Sequence, residues 1–392
     1  MKISLFVLLI ILSAAVLSFA QDIDTESIEN GGEYFIETND AANPCITPQQ
    51  YELIEKQCAE NIKLLKIDTS RQKSRLVTLL SWPVRASSSL DDCSYYGISG
   101  YVDNDAAAGV FSDYNCGTRS YDGHRGTDIF SWPFPFFKMD YDQVEVIAAA
   151  AGTIINKIDG NFDKNCAATA LPANYIAIIH PDGSITIYIH MKMNSLTTKI
   201  VGETVVTGEY LGIIGSSGNS TGPHLHFEVW SGSTVSTLVD PYFGPCNTLN
   251  PASLWVSQKP YKEPEIIKAS IHTANIVIPP CPETETLNED IVFTPGFAAK
   301  AYIFIRNETI GLTADLRIVN PDLTTFSSWI HNSTVDYNAS YWYWFKTLPT
   351  TPGIYTFEAT YNGITCSKTF RISEEKKLGM KNYRFILLVS LS

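Results

Sequence analysis

From about residue 86 to residue 258 the apolar residues fall in short runs cut by Gly, Pro, Asn and Asp, a texture that reads as strands rather than helices. Val144-Glu145-Val146-Ile147 leads to a turn at Gly152. Tyr175 to His180 and Ile185 to His190 are two apolar runs joined by Pro181-Asp182-Gly183-Ser184, a hairpin signal. Further strands fit Val205 to Gly208, Tyr210 to Ile214 and His224 to Trp230, and Asp240-Pro241 and Asn250-Pro251 close the segment. With 45% apolar and 18% charged residues the chain can bury a core, which excludes wholesale disorder. Its net charge of −13, with no basic stretch, argues against nucleic acid as a partner.

The flanks differ from this segment. Lys2 followed by the apolar run Ile3 to Val16 and by Ser18-Phe19-Ala20 predicts a signal peptide over 1–20. The run is too short for an anchor, and no later segment is long enough to span a bilayer, so the mature chain is expected in the periplasm or secreted. Residues 21–85 form an acidic and partly helical N-terminal segment. Thr47 is its N-cap, Pro48 the first helical residue, and Tyr51, Ile54, Cys58, Ile62 and Leu65 one apolar face. Residues 259–285 are spotted with proline and read as a linker, and 375–392 as a tail. Between them, 286–374 shows strands at short intervals, as an immunoglobulin-like β-sandwich would, with Tyr355 placed as a tyrosine corner and Phe357 where a cysteine is usual. In Tyr341-Trp342-Tyr343-Trp344-Phe345 the two tryptophans share one face, and packing in a core is the plain role for such rings.

Eight cysteines in an exported chain imply disulfides. Pairs inside one segment are expected: Cys93 with Cys116, Cys166 with Cys246, and Cys281 with Cys366. Cys45 with Cys58 fits poorly. A helix from Pro48 carries Cys58 about 15 Å along its axis, whereas a disulfide tolerates roughly 7 Å between Cα atoms.

Four of the seven histidines fall in three short motifs. His124-Arg125-Gly126-Thr127-Asp128 is an HxxxD, Tyr188-Ile189-His190 ends a strand, and Pro223-His224-Leu225-His226-Phe227-Glu228-Val229 contains an HxH. On a strand His224, His226 and Glu228 point one way and Leu225, Phe227 and Val229 the other. Catalytic zinc commonly takes three N/O ligands and keeps its fourth position for water. His124, Asp128 and one of the HxH pair would supply three. No HExxH is present, so histidine rather than a glutamate must handle protons. His180, His272 and His331 stand alone and are expected to be structural.

Asp122 to Val229 resembles the lysostaphin-type (LytM-like) zinc metallopeptidases, which cut peptide bridges in bacterial cell walls. The likeness rests on the three motifs in order, the last within Gly215-Ser216-Ser217-Gly218-Asn219-Ser220-Thr221-Gly222-Pro223-His224-Leu225-His226-Phe227-Glu228-Val229. It covers about 110 to 170 of the 392 residues. It implies an antiparallel β metallopeptidase domain over 86–258, Zn²⁺ on His124, Asp128 and His226, and His190 and His224 as the catalytic pair. The expected substrate is peptidoglycan or a peptide. The resemblance also implies that an N-terminal segment can block the site, and this flank has acidic and Asn side chains able to reach a metal. The competing readings are a catalytically silent wall-binding or activator protein and a secreted protease acting on Gly-rich proteins. Trp132-Pro133-Phe134-Pro135-Phe136-Phe137 is expected either to pack or to wall the substrate groove.

Overall fold

The computed structural model describes residues 29–34, 36, 38–69, 78–167, 169 and 171–374. The expected signal peptide at 1–20 and tail at 375–392 lie outside them. The protein is mainly β, and its sheets are antiparallel apart from the short pairing of Val292–Phe293 with Ile364–Ile372.

The largest sheet has eight strands, in the order Tyr96–Gly100, Thr127–Ser131, His224–Trp230, Ile185–Ile189, Tyr175–Ile179, Gly152–Ile158 and Thr204–Val205, with Leu238–Val239 beside the third. Strand alternation sends Leu225, Phe227 and Val229 to one face. There they meet Tyr188, Ile176 and Trp255, together with Val144, Val146 and Leu211 from a second sheet of Val84–Ala86, Val144–Ile147 and Tyr210–Ile213. The other face is covered by the helix Pro48–Leu64, whose Tyr51, Ile54, Cys58 and Ile62 pack on Ile155, Tyr175, Ile179, Ile187 and Trp230. Burial on both faces explains why the central strands read as unbroken apolar runs. Each large side chain so buried contributes about 1.5–3 kcal/mol, so packing holds the helix in place.

The helix starts as expected. Thr47 Oγ1 accepts the Gln50 N–H at 3.3 Å and Gln50 Oε1 accepts the Thr47 N–H at 2.8 Å, a reciprocal cap ahead of Pro48. Leu65 departs from the expected apolar face: it caps the C-terminus and is 37% exposed.

The C-terminal part is two packed sheets. One holds Asn30–Glu33, Tyr337–Thr347, Ala298–Glu308 and Glu265–His272; the other holds Val292–Phe293, Ile364–Ile372, Gly353–Tyr361, Thr313–Val319 and Thr325–Asn332. Ile303, Ile305, Leu316, Ile318, Trp344 and Phe357 fill the space between them. Tyr355 Oη donates to Thr351 O at 2.8 Å, the bond of a tyrosine corner. Trp342 and Trp344 face this core, while Tyr341 and Tyr343 lie on the opposite side against Tyr302 and Phe304.

Two sequence expectations are corrected. The stretch 259–285 is not simply a linker, because Glu265–His272 is a full strand of the four-stranded sheet with Ile266, Ala269 and Ile271 in the sandwich core. The disulfides are Cys93–Cys366, Cys116–Cys246 and Cys166–Cys281, none of them the pairs expected, and Cys45 and Cys58 are free. The within-segment pairs presupposed parts with separate cores. Instead Phe130, Trp132 and Phe134 share one apolar cluster with Ile267, Tyr302 and Phe304 of the sandwich, and two of the disulfides run across that seam. The N-terminal strand Asn30–Glu33 crosses it as well, pairing with Tyr337–Thr347. Among the described residues no helix is long and apolar enough to cross a membrane.

Candidate metal centre

Strand register assembles the site. His226 lies opposite Asp128 on one neighbour and opposite Ile189 on the other, and His190 directly follows that second strand. His190 has φ 68°, a left-handed conformation that residues with a β-carbon avoid unless their surroundings impose it. His124 precedes the strand Thr127–Ser131, and Gly126 between them has a packing role. A β-carbon there would sit 2.5 Å from His226 Cε1, so only glycine lets the HxxxD loop close over the ring.

All four rings are buried, and each has one nitrogen pinned by an acceptor. His124 Nδ1–H donates to Tyr101 O at 2.6 Å, His190 Nδ1–H to Ser217 O at 2.6 Å, and His224 Nδ1–H to Gly222 O at 2.8 Å. In these three the Nε2 atom is buried and makes no well-formed hydrogen bond, although His124 Nε2 lies 3.1 Å from Asp128 Oδ2 and His224 Nε2 lies 3.7 Å from Asp128 Oδ1. His226 is held the other way round. Its Nε2–H donates to Glu228 Oε1 at 2.8 Å and its Nδ1 lies 2.8 Å from Asp128 Oδ1. A carbonyl or carboxylate that fixes the tautomer and aims the other nitrogen is the usual support of a metal-binding imidazole.

The free atoms converge in two sets. Ligand atoms of Cys45, His124, Asp128 and His226 lie within 4.8 Å of one another, as do those of Cys45, His190 and His224. The first set could hold a metal ion, and its donors, two imidazoles, a carboxylate and a thiol, are those that zinc accepts. The electrostatics match a site built for a cation. Burial opposes charge on His124, but the Asp128 carboxylate outweighs it and raises the ring to about 10. His226 is raised well above its ordinary value by Asp128, against burial. Burial would also push Asp128 up, yet the rings of His124, His224 and His226 hold it well below the usual carboxylate range. His190 differs: burial lowers it, and His224 and His226 nearby add to that effect.

The structure brings together His124, Asp128, His190, His224 and His226, the five residues singled out by the motifs. His180, His272 and His331 lie elsewhere, each with both ring nitrogens partnered. Trp132 and Phe134 pack in the seam, whereas Pro135 and Phe136 line the groove beside Asp128 and His224. Sequence reasoning missed Cys45 and the supporting roles of Glu228 and Tyr51. Glu228 was placed on the ligand face by strand alternation. It accepts from His226 at 2.8 Å, from Trp230 Nε1 at 2.7 Å and from the hydroxyl of Tyr51 on the N-terminal helix. The only hint of Cys45 was its failure to reach Cys58.

Residues 123–241 match the model of Peptidase family M23. A protein of Buchnera aphidicola subsp. Baizongia pistaciae, named as an uncharacterized metalloprotease, is 40% identical over 83 residues, 21% of this chain and 21% of the relative. The peptidoglycan DD-endopeptidase ShyC of Vibrio cholerae serotype O1 is 42% identical over 111 residues, 28% of this chain and 21% of the relative. Among solved structures, the catalytic domain of lysostaphin from Staphylococcus simulans aligns at 27% identity with a TM-score of 0.25, covering 37% of this chain and 87% of that domain. The chain spans about a fifth of the length of the curated relatives it matches.

Proposed function

We propose that this protein is an exported zinc metalloendopeptidase that hydrolyses peptide bonds of peptidoglycan cross-links or stem peptides. The observation that carries the reading is the set of four rings, each pinned at one nitrogen, with His124, His226 and Asp128 gathered as one group of ligand atoms and His190 and His224 as a second beside it. The M23 match and the named endopeptidase relative support the reaction class and the substrate. The three disulfides support export.

His124 Nε2, His226 Nδ1 and an Asp128 oxygen would hold the zinc. When bound, zinc supplies Lewis-acid activation of water and of the scissile carbonyl. His190 and His224 supply the proton transfers. Their ring centroids are 4.7 Å apart and both present Nε2 to the site. Either Nε2 is placed to take a proton from the attacking water, and the other ring to hold a proton toward the oxyanion.

A silent activator would not need this set, and no member of it is missing. Mass spectrometry of products from defined muropeptides, with zinc content measured on the same protein, tests the reading. One zinc per chain and cleavage at a single peptide bond are expected. A chain that folds, binds no zinc and releases no peptide product would overturn it.

A further inference from the structure

Cys45 is the one residue common to both converging sets, and it comes from outside the M23 segment. It is 2% exposed, with Sγ 3.9 Å from Asp128 Oδ2 and 3.4 Å from Asn39 Oδ1. The buried Nε2 atoms of His124, His190 and His224, which have no hydrogen-bond partner, all belong to the sets that Sγ joins. The approach is built at several points. The Cys45 N–H donates to Tyr121 Oη at 3.1 Å. Asn219, in the loop before the HxH motif, donates to Pro44 O, and its own carbonyl accepts Asn39 Nδ2 at 3.1 Å. Two residues on, Thr47 caps the helix that carries Tyr51 to Glu228. Asn39 and Thr38 also line the groove beside the site, together with Asp128, Phe136, His224 and Glu285.

We propose that Cys45 is the fourth ligand of the metal, so that the block which the resemblance implies for the N-terminal flank is made here by a thiolate from the segment 38–47. The proposal rests on the zinc reading above. A catalytic zinc needs an open position for water, whereas four protein ligands make a closed site of the structural kind. A thiolate from Cys45 would fill that position and stand in front of His190 and His224 as well. It would also occupy the groove with backbone that no disulfide fastens. All eight cysteines are described, the three disulfides begin at Cys93, and the two free thiols lie before it. The segment is therefore held by non-covalent contacts alone and can be displaced with the sheet intact. Asn39 bonds the thiol, and the thiol itself faces the site.

The test uses the full chain with Co²⁺ in place of zinc. A thiolate-to-cobalt charge-transfer band in the near ultraviolet is expected, lost in Cys45→Ser and kept in Cys58→Ser. Without mutation, alkylation of Cys45, followed by the mass of its peptide, is expected to slow at least about tenfold when zinc is added to chelated protein. Cys45→Ala should cleave soluble muropeptides at least about tenfold faster than the unaltered chain, since no internal ligand need be displaced. Cobalt bound with no charge-transfer band and an unprotected Cys45 would overturn the ligation and leave the zinc reading standing. A band present with no gain in Cys45→Ala would overturn the block. Failure to bind either metal would sink the zinc reading itself.

Discussion

The ligand face of the eight-stranded sheet and the C-terminal sandwich both bury histidines beside carboxylates, and they do so to opposite ends. In the sandwich His331 meets Glu308 at 2.7 Å through Nε2 and Glu29 through Nδ1, and Glu308 in turn accepts from Ser340 and from Trp342 Nε1 at 2.9 Å. His272 is bonded to Ser270 at 2.7 Å and to Leu287 O at 2.6 Å. At the site three rings each leave a buried Nε2 without a hydrogen bond, those of His124 and His224 facing only the Asp128 carboxylate. A buried polar atom left unpaired costs about 1–3 kcal/mol, so such atoms gathered in one place mark a site shaped for something other than its own stability. All seven histidines are buried, so burial does not separate the two groups; the leftover valence does.

The largest effect expected is at Asp128. Asp128→Ala removes the anion that three rings share, and zinc content and peptide cleavage should both fall to background, measured by metal analysis and muropeptide digestion. Next comes His190→Ala. It should keep zinc and lose turnover by about 10²–10⁴-fold, the usual worth of a general acid or base. Equal zinc loss in His190→Ala and His226→Ala would erase the distinction between ligand and proton carrier. A smaller effect belongs to Glu228→Gln, which weakens the acceptor behind His226. Zinc affinity by competition with a chromophoric chelator should drop about 10–100-fold.

The smallest effect tests the sandwich side. Glu29 and Glu308 raise His331 to about 9 against the opposing effect of burial. Its folded value lies above the ordinary histidine value of about 6.5. Its stabilisation is therefore fully present below that value and is lost as pH rises through about 9. The melting temperature should decline between pH 7 and pH 10, and His331→Gln should flatten the decline. Unchanged zinc content in that variant would sharpen the contrast with the site.

Much of the site was legible because its motifs are local. HxH on a strand needs only alternation to place His224, His226 and Glu228 on one face, and HxxxD brings His124 and Asp128 within one turn of chain. The same holds for the helix at Pro48, whose start depends on Thr47 and Gln50 three residues apart. Cys45 was not legible, because its partner atoms lie 79 to 181 residues away in sequence, from His124 to His226, and nothing in Asn43-Pro44-Cys45-Ile46 encodes that encounter. The disulfides failed for a related reason. Spacing suggests which cysteines are near along the chain, whereas Cys93 meets Cys366 across 273 residues because two sheets share a seam.

By itself the sequence determined the strand and helix periods, the motifs that carry His124, Asp128, His190, His224 and His226, and the likeness over Asp122 to Val229. Those follow from residue type and short-range geometry. Tertiary structure alone decided three further matters: that Phe130, Trp132 and Phe134 join the sandwich core, that residues 265–272 are a strand of it, and that a thiol from the N-terminal segment sits at the candidate metal centre. These depend on which faces meet. Apolar burial is non-directional, so many pairings of faces satisfy the same pattern until the whole chain is packed.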